Sequence, residues 1–257
     1  MNAYAQKGIN TLFVLNQQTV GGEDAPWKDG ETWSSYAKRF ASAAGEIAAH
    51  YAHLGNKVSY EIWNEGDNPK TAKFSVYVRP SQFAPVLWQA ANAIRAASPK
   101  SKIVFGGLST DHKEGSTYVN RVRRELGGEL PVDAIGIHPY GRWPVRRPFN
   151  GWGFGPLNKE LDGFKNRVPE PLWITEIGIV GRDQPLSEKR HTAVASFIRD
   201  LYKSVAQQHA DQVPVVIWFS WSDNMENAGI VRGDGTVKPK IFEAFIAIRD
   251  RKVDGLA

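Results

Sequence analysis

The sequence predicts an α/β fold in which parallel strands alternate with helices, and three observations carry that prediction. Short runs rich in Val, Ile and Phe alternate along the chain with longer segments whose apolar residues recur every three or four positions. The short runs are continuously apolar, as strands covered on both faces of a parallel sheet must be. Two of them carry a glutamate near their ends: Tyr60-Glu61-Ile62-Trp63-Asn64-Glu65 and Leu172-Trp173-Ile174-Thr175-Glu176-Ile177-Gly178. Glu65 and Glu176 are 111 residues apart, three spans of about 37, close to one strand–helix unit of a β/α barrel. The expected fold is therefore a TIM-type (β/α) barrel with both acids on the rim where its strands end.

Each element follows in order. Ile9 to Leu15, bounded by Gly8 and Asn16, reads as the first strand. Trp33, Tyr36, Phe40, Ala44, Ile47 and Tyr51 keep helical spacing and predict a long amphipathic helix ending near Gly55. Val58 to Trp63 is the second strand. Ser81 is expected to cap a helix carrying Phe83, Leu87, Ala91 and Ile94 that stops before Pro99. Ile103 to Phe105, running into Gly106-Gly107, is the third strand, Ala134 to Ile137 the fourth and Leu172 to Thr175 the fifth. Arg121, Arg123 and Arg124 mark the exposed face of a short helix. Ser187 opens a helix with Val194, Phe197, Ile198, Leu201 and Val205. Val215 to Phe219 is the last strand, and Ile241, Phe242, Phe245 and Ile246 mark the closing helix. Between these two, Gly229 to Thr236 reads as a hairpin with Asp234-Gly235 at its turn. Six strands are counted where a closed barrel has eight. The expectation is one domain over residues 1–257, an incomplete barrel of about six strand–helix units.

Composition narrows the function. The 257 residues are 42% hydrophobic and 23% charged, the balance of an ordinary globular protein. No run approaches the roughly 20 apolar residues that cross a bilayer, so no membrane partner is expected. The start, Met1-Asn2-Ala3-Tyr4-Ala5-Gln6-Lys7-Gly8, lacks the basic and apolar regions of a signal peptide. As written, the chain suits the cytoplasm, or a secreted parent whose N-terminus is absent. The absence of cysteine excludes disulfides and thiolate metal sites. The net charge of +5 admits an anionic partner, but most such surpluses are solvated surface, and no nucleic-acid partner is expected.

Taken together, Asn64-Glu65 after an apolar strand, Glu176 ending a later one, His138-Pro139-Tyr140 between them and the Trp-rich stretch Val215–Asp223 resemble the glycoside hydrolases of clan A. Glu61-Ile62-Trp63-Asn64-Glu65 is most similar to family 39-like members, with family 5 second. The resemblance runs from about Gly8 to about Ile248. It implies a retaining β-glycosidase that acts on oligo- or polysaccharides without a cofactor, with Glu65 as acid/base and Glu176 as nucleophile. That chemistry starts with one carboxyl protonated and the other ionised. The resemblance gives Asn64 the sugar 2-hydroxyl, places His138 near the acid/base, and has Tyr140 bond the nucleophile. Trp221 becomes the floor of the −1 subsite, and Trp218 points into the core. Two loops are expected to shape specificity. Gly141 to Leu157 carries Trp143, Trp152 and several arginines, and Thr19 to Thr32 carries Trp27.

Read singly, these residues allow plainer roles: a glutamate in a surface turn, a histidine packed before proline, a tryptophan in the core. No His-x-x-x-His spacing supports zinc, so no metal site is expected. Aligned by its motifs, the chain starts at the clan's third strand. The first two units are then missing, and with them the arginine that clan members place at the end of the second strand. Uncovered sheet edges and apolar flanks favour a homodimer or higher oligomer. The alternative function is a carbohydrate-binding remnant with little or no turnover, and a structural or nucleic-acid-binding role is more remote.

Overall fold

The computed structural model describes residues 1–21, 31–68, 76–140, 156–179 and 187–250. The chain packs as two compact units, Met1–Ile137 with Val168–Pro171, and His138–Arg167 with Leu172–Ala257.

The first unit contains α1 (Asn2–Gln6), β1 (Thr11–Leu15), α2 (Trp33–Tyr51), β2 (Val58–Asn64), α3 (Pro80–Ala97), β3 (Lys102–Leu108), α4 (His112–Glu125) and β4 (Ala134–Ile137). Its strands pair in parallel and in chain order, with Phe13 opposite Tyr60, Glu61 opposite Val104 and Asn64 opposite Gly107. Every residue of β2 from Val58 to Trp63 is buried, which explains why its sequence does not alternate. Gly106 has to be glycine, since a Cβ there would lie 2.5 Å from the Ile62 carbonyl oxygen. Helix α2 begins where the Thr32 side chain accepts the Ser35 N–H, and it buries Tyr36, Ala37, Phe40, Ala41, Ala44 and Ala48. The alanines among them let α2 lie close against α3.

The second unit contains α5 (Leu157–Lys165), β5 (Leu172–Gly178), α6 (Glu188–Gln208), β6 (Val215–Phe219) and α7 (Pro239–Arg249). Strands β5 and β6 are parallel, with Trp173 opposite Val215 and Gly178 opposite Phe219. Ile198 and Leu201 of α6 are fully buried, as the helical spacing requires.

Six parallel strands in chain order, each followed by a helix, make the fold class the incomplete TIM-type barrel that the sequence predicts. Several boundaries move. Strand β1 starts at Thr11, because the Ile9 N–H is taken by the Tyr4 carbonyl of α1, and Ile9 is left exposed. Strand β5 continues through Glu176 to Gly178, so that glutamate lies within the strand instead of ending it. Helix α3 opens at Pro80 after Arg79, one residue before the expected cap Ser81. Arg123 is a correction to the solvated face assigned to α4. It donates from both terminal nitrogens to Glu170, at 2.7 and 2.8 Å, and is largely buried. Arg121 and Arg124 are exposed. No helix among the described residues is long and apolar enough to cross a membrane.

Candidate active site

In the first unit, β2 delivers Asn64 and Glu65 through an unusual piece of backbone. Trp63 has φ 80° and Glu65 φ 50°, both in the left-handed region that bulky L-residues avoid. Such residues cost on the order of 1–3 kcal/mol each and persist only where the surroundings over-determine them. The surroundings do so here. The Trp63 ring is buried against Tyr36, Phe40 and Phe83, and its Nε1 donates to the Val76 carbonyl at 2.9 Å. The Glu65 N–H donates to the Gly107 carbonyl at 2.9 Å, and the Val78 N–H to the Gly66 carbonyl at 3.0 Å.

Two further carboxylates support this exit. Glu61 is fully buried and accepts the Gly107 N–H at 2.7 Å, tying β2 to β3 from within. Asp67 accepts the N–H groups of Ser109 and Thr110, at 3.1 and 2.9 Å, and the Thr110 hydroxyl. Burial pushes the Asp67 carboxyl above its ordinary value, and these donors pull it back only in part. Asn68 Nδ2 adds a bond to the Ser109 hydroxyl at 3.2 Å. The segment after β2 is thus anchored to the segment after β3.

In the second unit, β5 carries Glu176 beside Tyr140, the contact the resemblance implies, and beside His138, which the resemblance had placed near the acid/base. The Tyr140 hydroxyl donates to Glu176 Oε2 at 3.0 Å, and His138 Nδ1 lies 3.8 Å from the same oxygen. The other ring nitrogen of His138, Nε2, is 3.1 Å from the Thr175 hydroxyl, and the histidine is buried. His138, Tyr140, Thr175 and Glu176 therefore form one cluster. The Tyr140 ring also meets Phe219 edge-on, with centroids 6.4 Å apart.

On β6, Trp218 is buried against Phe197, whereas Trp221, just past the strand, is 57% exposed and meets Phe242 edge-on. The stretch holding Trp221 is pinned by a buried ion pair. Lys238 Nζ donates to Asp223 Oδ1 at 2.6 Å and to the Gly229 carbonyl at 2.8 Å, and Asp223 Oδ1 also accepts the Gly229 N–H at 3.0 Å. The expected hairpin is a tight turn closed by a Val231–Val237 bridge, with Gly235 at φ 86°. Trp143, Trp152 and Trp27 lie outside the described residues.

Sequence reasoning did not single out Asp67 or Lys238. Their partners, Thr110 and Asp223, are distant in sequence, and neither pair forms a recognisable spacing. Glu61 carried a readable signal, an acid in the middle of a buried apolar run.

Residues 38–241 match the family described as the glycosyl hydrolase catalytic core. No curated protein matches the sequence. Among solved structures, the chain is similar to a xylanase 10B from Thermotoga maritima at 14% identity and a TM-score of 0.57, over 92% of this chain and 74% of that one. It is similar to a psychrophilic family 10 endo-β-1,4-xylanase at 14% identity and a TM-score of 0.63, over 95% of this chain and 78% of the other. A family 39 glycoside hydrolase from Bacteroides cellulosilyticus WH2 aligns at 19% identity and a TM-score of 0.63, over 95% of this chain and 51% of its own length. These likenesses establish a shared fold.

Proposed function

The chain belongs to the glycosyl hydrolase catalytic core family, and from that premise we propose that it cleaves β-glycosidic bonds with retention, using Glu176 as nucleophile and Glu65 as acid/base. As a member of that family it is a glycoside hydrolase with a carbohydrate substrate. In the proposed reaction a Glu176 oxygen attacks the anomeric carbon while Glu65 gives its proton to the departing oxygen. The resulting glycosyl-enzyme is then opened by water, whose proton Glu65 takes. Both carboxyls end the cycle as they began.

The observation that carries the reading is the Tyr140–Glu176 hydrogen bond at 3.0 Å. It leaves one carboxylate oxygen held by a phenol and the other available to a substrate, the division of labour a nucleophile needs. The stiff exit of β2 supports Glu65 in the partner role, since a proton donor has to be aimed at one atom. Asn64, next to Glu65, suits the sugar 2-hydroxyl. Trp221 presents a broad exposed aromatic face against which the C–H face of a sugar packs and sheds water. The exposed apolar residues Val14 on β1 and Ile217 on β6 support self-association.

The xylanases among the similar folds make xylan the first polysaccharide to try. A panel of aryl β-xyloside, β-glucoside, β-mannoside and β-galactoside, read by release of the phenol, tests the proposal. Turnover of at least one, lost in Glu176→Ala, is expected. Binding of oligosaccharide with no turnover of any member would favour a carbohydrate-binding remnant instead.

A further inference from the structure

Two adjoining cavities open on the first unit beside the start of α3, and the chemistry proposed above uses neither. The smaller, of about 440 Å³, is lined by Trp33 and Tyr36 of α2, by Glu31 and Thr32 just before it, and by Tyr77, Arg79 and Gln82; the Glu31 carboxylate there is already taken by Arg39. The larger, of about 570 Å³, shares Tyr77 and Arg79 and is closed by Arg121, Arg124 and Glu125 of α4. Both volumes fall in the range of roughly 300–1,000 Å³ that suits small ligands. The shared residues make one groove, aromatic at one end and basic at the other.

The basic end holds three arginines against one glutamate. None of the three guanidinium groups pairs with a carboxylate among the described residues. Two arginines elsewhere in this unit behave differently. Arg39 is held by Glu31 and Arg123 by Glu170, each through two nitrogens. Three like charges lining one cavity repel each other and create a local positive field that an anion relieves. Guanidinium forks match carboxylate oxygens in pairs. The first turn of α3, an 18-residue helix, opens on the same cavity through Pro80 and Ser81 and adds its positive end. At the other end, Trp33 and Tyr77 are partly exposed, the condition under which an aromatic ring can cover a sugar face.

We propose that this groove binds a saccharide unit bearing a carboxylate, a uronic acid, with its ring against Tyr77 and Trp33 and its acid on Arg79, Arg121 and Arg124. The choice of a sugar rests on the carbohydrate-hydrolase reading, and the choice of an acidic one rests on the arginines alone. An acid-substituted polysaccharide would then be gripped by residues that the hydrolysis itself does not use.

Titration calorimetry on the full chain carrying Glu176→Ala tests this, with a glucuronic-acid-bearing xylo-oligosaccharide and its neutral counterpart of equal length. The acidic sugar should bind at least about tenfold more tightly. Raising the salt from 50 to 500 mM should shrink that preference, as expected for exposed charges. Arg121→Ala with Arg124→Ala, both on an exposed helix face, should remove most of the preference, and Tyr77→Ala should weaken both sugars. Equal affinity for the two sugars, or a preference untouched by the double arginine change, would overturn the proposal. So would displacement of the acidic sugar by equimolar inorganic sulfate or by a single-stranded oligonucleotide. Turnover of aryl β-glycosides by the unsubstituted chain is read separately. Its absence would sink the catalytic reading and leave the acidic preference standing, and the converse result would sink the groove alone.

Discussion

Glu65 and Glu176 are held by different means. At Glu65 the control lies in the backbone: left-handed residues on either side of Asn64, an N–H fixed to Gly107, and a following segment clamped through Asp67 to Ser109 and Thr110. Glu176 lies within β5, where the pairing with β6 shifts register between Ile174 and Ile177, and side chains hold its carboxylate, the Tyr140 hydroxyl foremost. The strands around them differ as well. Strand β2 has neighbours on both sides and buries six consecutive residues, whereas β6 leaves Val215, Val216 and Ile217 partly exposed. A backbone-held group resists the loss of any one neighbouring side chain. A group aimed by side chains can be disturbed by removing one hydroxyl.

The largest effect expected is at Glu176 itself. Glu176→Ala should show no turnover above background on aryl or natural glycosides, because the attacking atom is gone. Residual activity on either substrate class would end its assignment. Glu65→Ala should lose about 10²–10⁴-fold on natural substrates, much less on glycosides with good leaving groups, and should be partly rescued by azide. Losses of equal size on both substrate types would contradict the acid/base role.

Tyr140→Phe sharpens the comparison directly, since it keeps the ring against Phe219 and removes only the hydroxyl. A hydrogen bond to a charged group contributes about 1.5–3 kcal/mol, so kcat should fall by roughly 10- to 100-fold. Unchanged kcat would mean that the strand, and not the phenol, positions Glu176. The smallest effects are structural. Ile62→Thr, at a fully buried site on β2, should cost about 2–4 kcal/mol in chemical denaturation, from lost packing and a buried hydroxyl. Ile217→Thr on β6, where the residue is 36% exposed, should cost less than about 1 kcal/mol. It should also shift the light-scattering mass toward monomer. Equal costs at the two sites would erase the distinction between the strands.

The sequence made much of this legible, for reasons that can be located. The Asn64-Glu65 step and Tyr140 could be read because each follows a run of apolar residues that has to be a strand, and strand ends are where a β/α barrel exposes side chains; Glu176 stood out as an acid in such a run, although the strand continues past it. Trp221 could be separated from Trp218 because the last strand ends at Phe219. The clamps were not legible. Asp67 and Thr110 are 43 positions apart, and Lys238 and Asp223 are 15. Nothing local distinguishes them from surface polar residues. The exposure of Ile217 was equally hidden, because a run such as Val215–Phe219 has the same composition in an interior strand as at an edge. Arg123 was misjudged for a related reason: its partner Glu170 comes from a distant turn.

The central claim, double displacement at Glu176, is tested most directly by the configuration of the sugar when it is first released. Proton NMR recorded during the first minutes of hydrolysis of a β-linked substrate resolves the two anomers before mutarotation mixes them. With Glu176 as nucleophile, the β anomer should appear first and the α anomer only later. An α anomer formed first would mean single displacement by water, and would contradict the assignment of Glu176 as nucleophile.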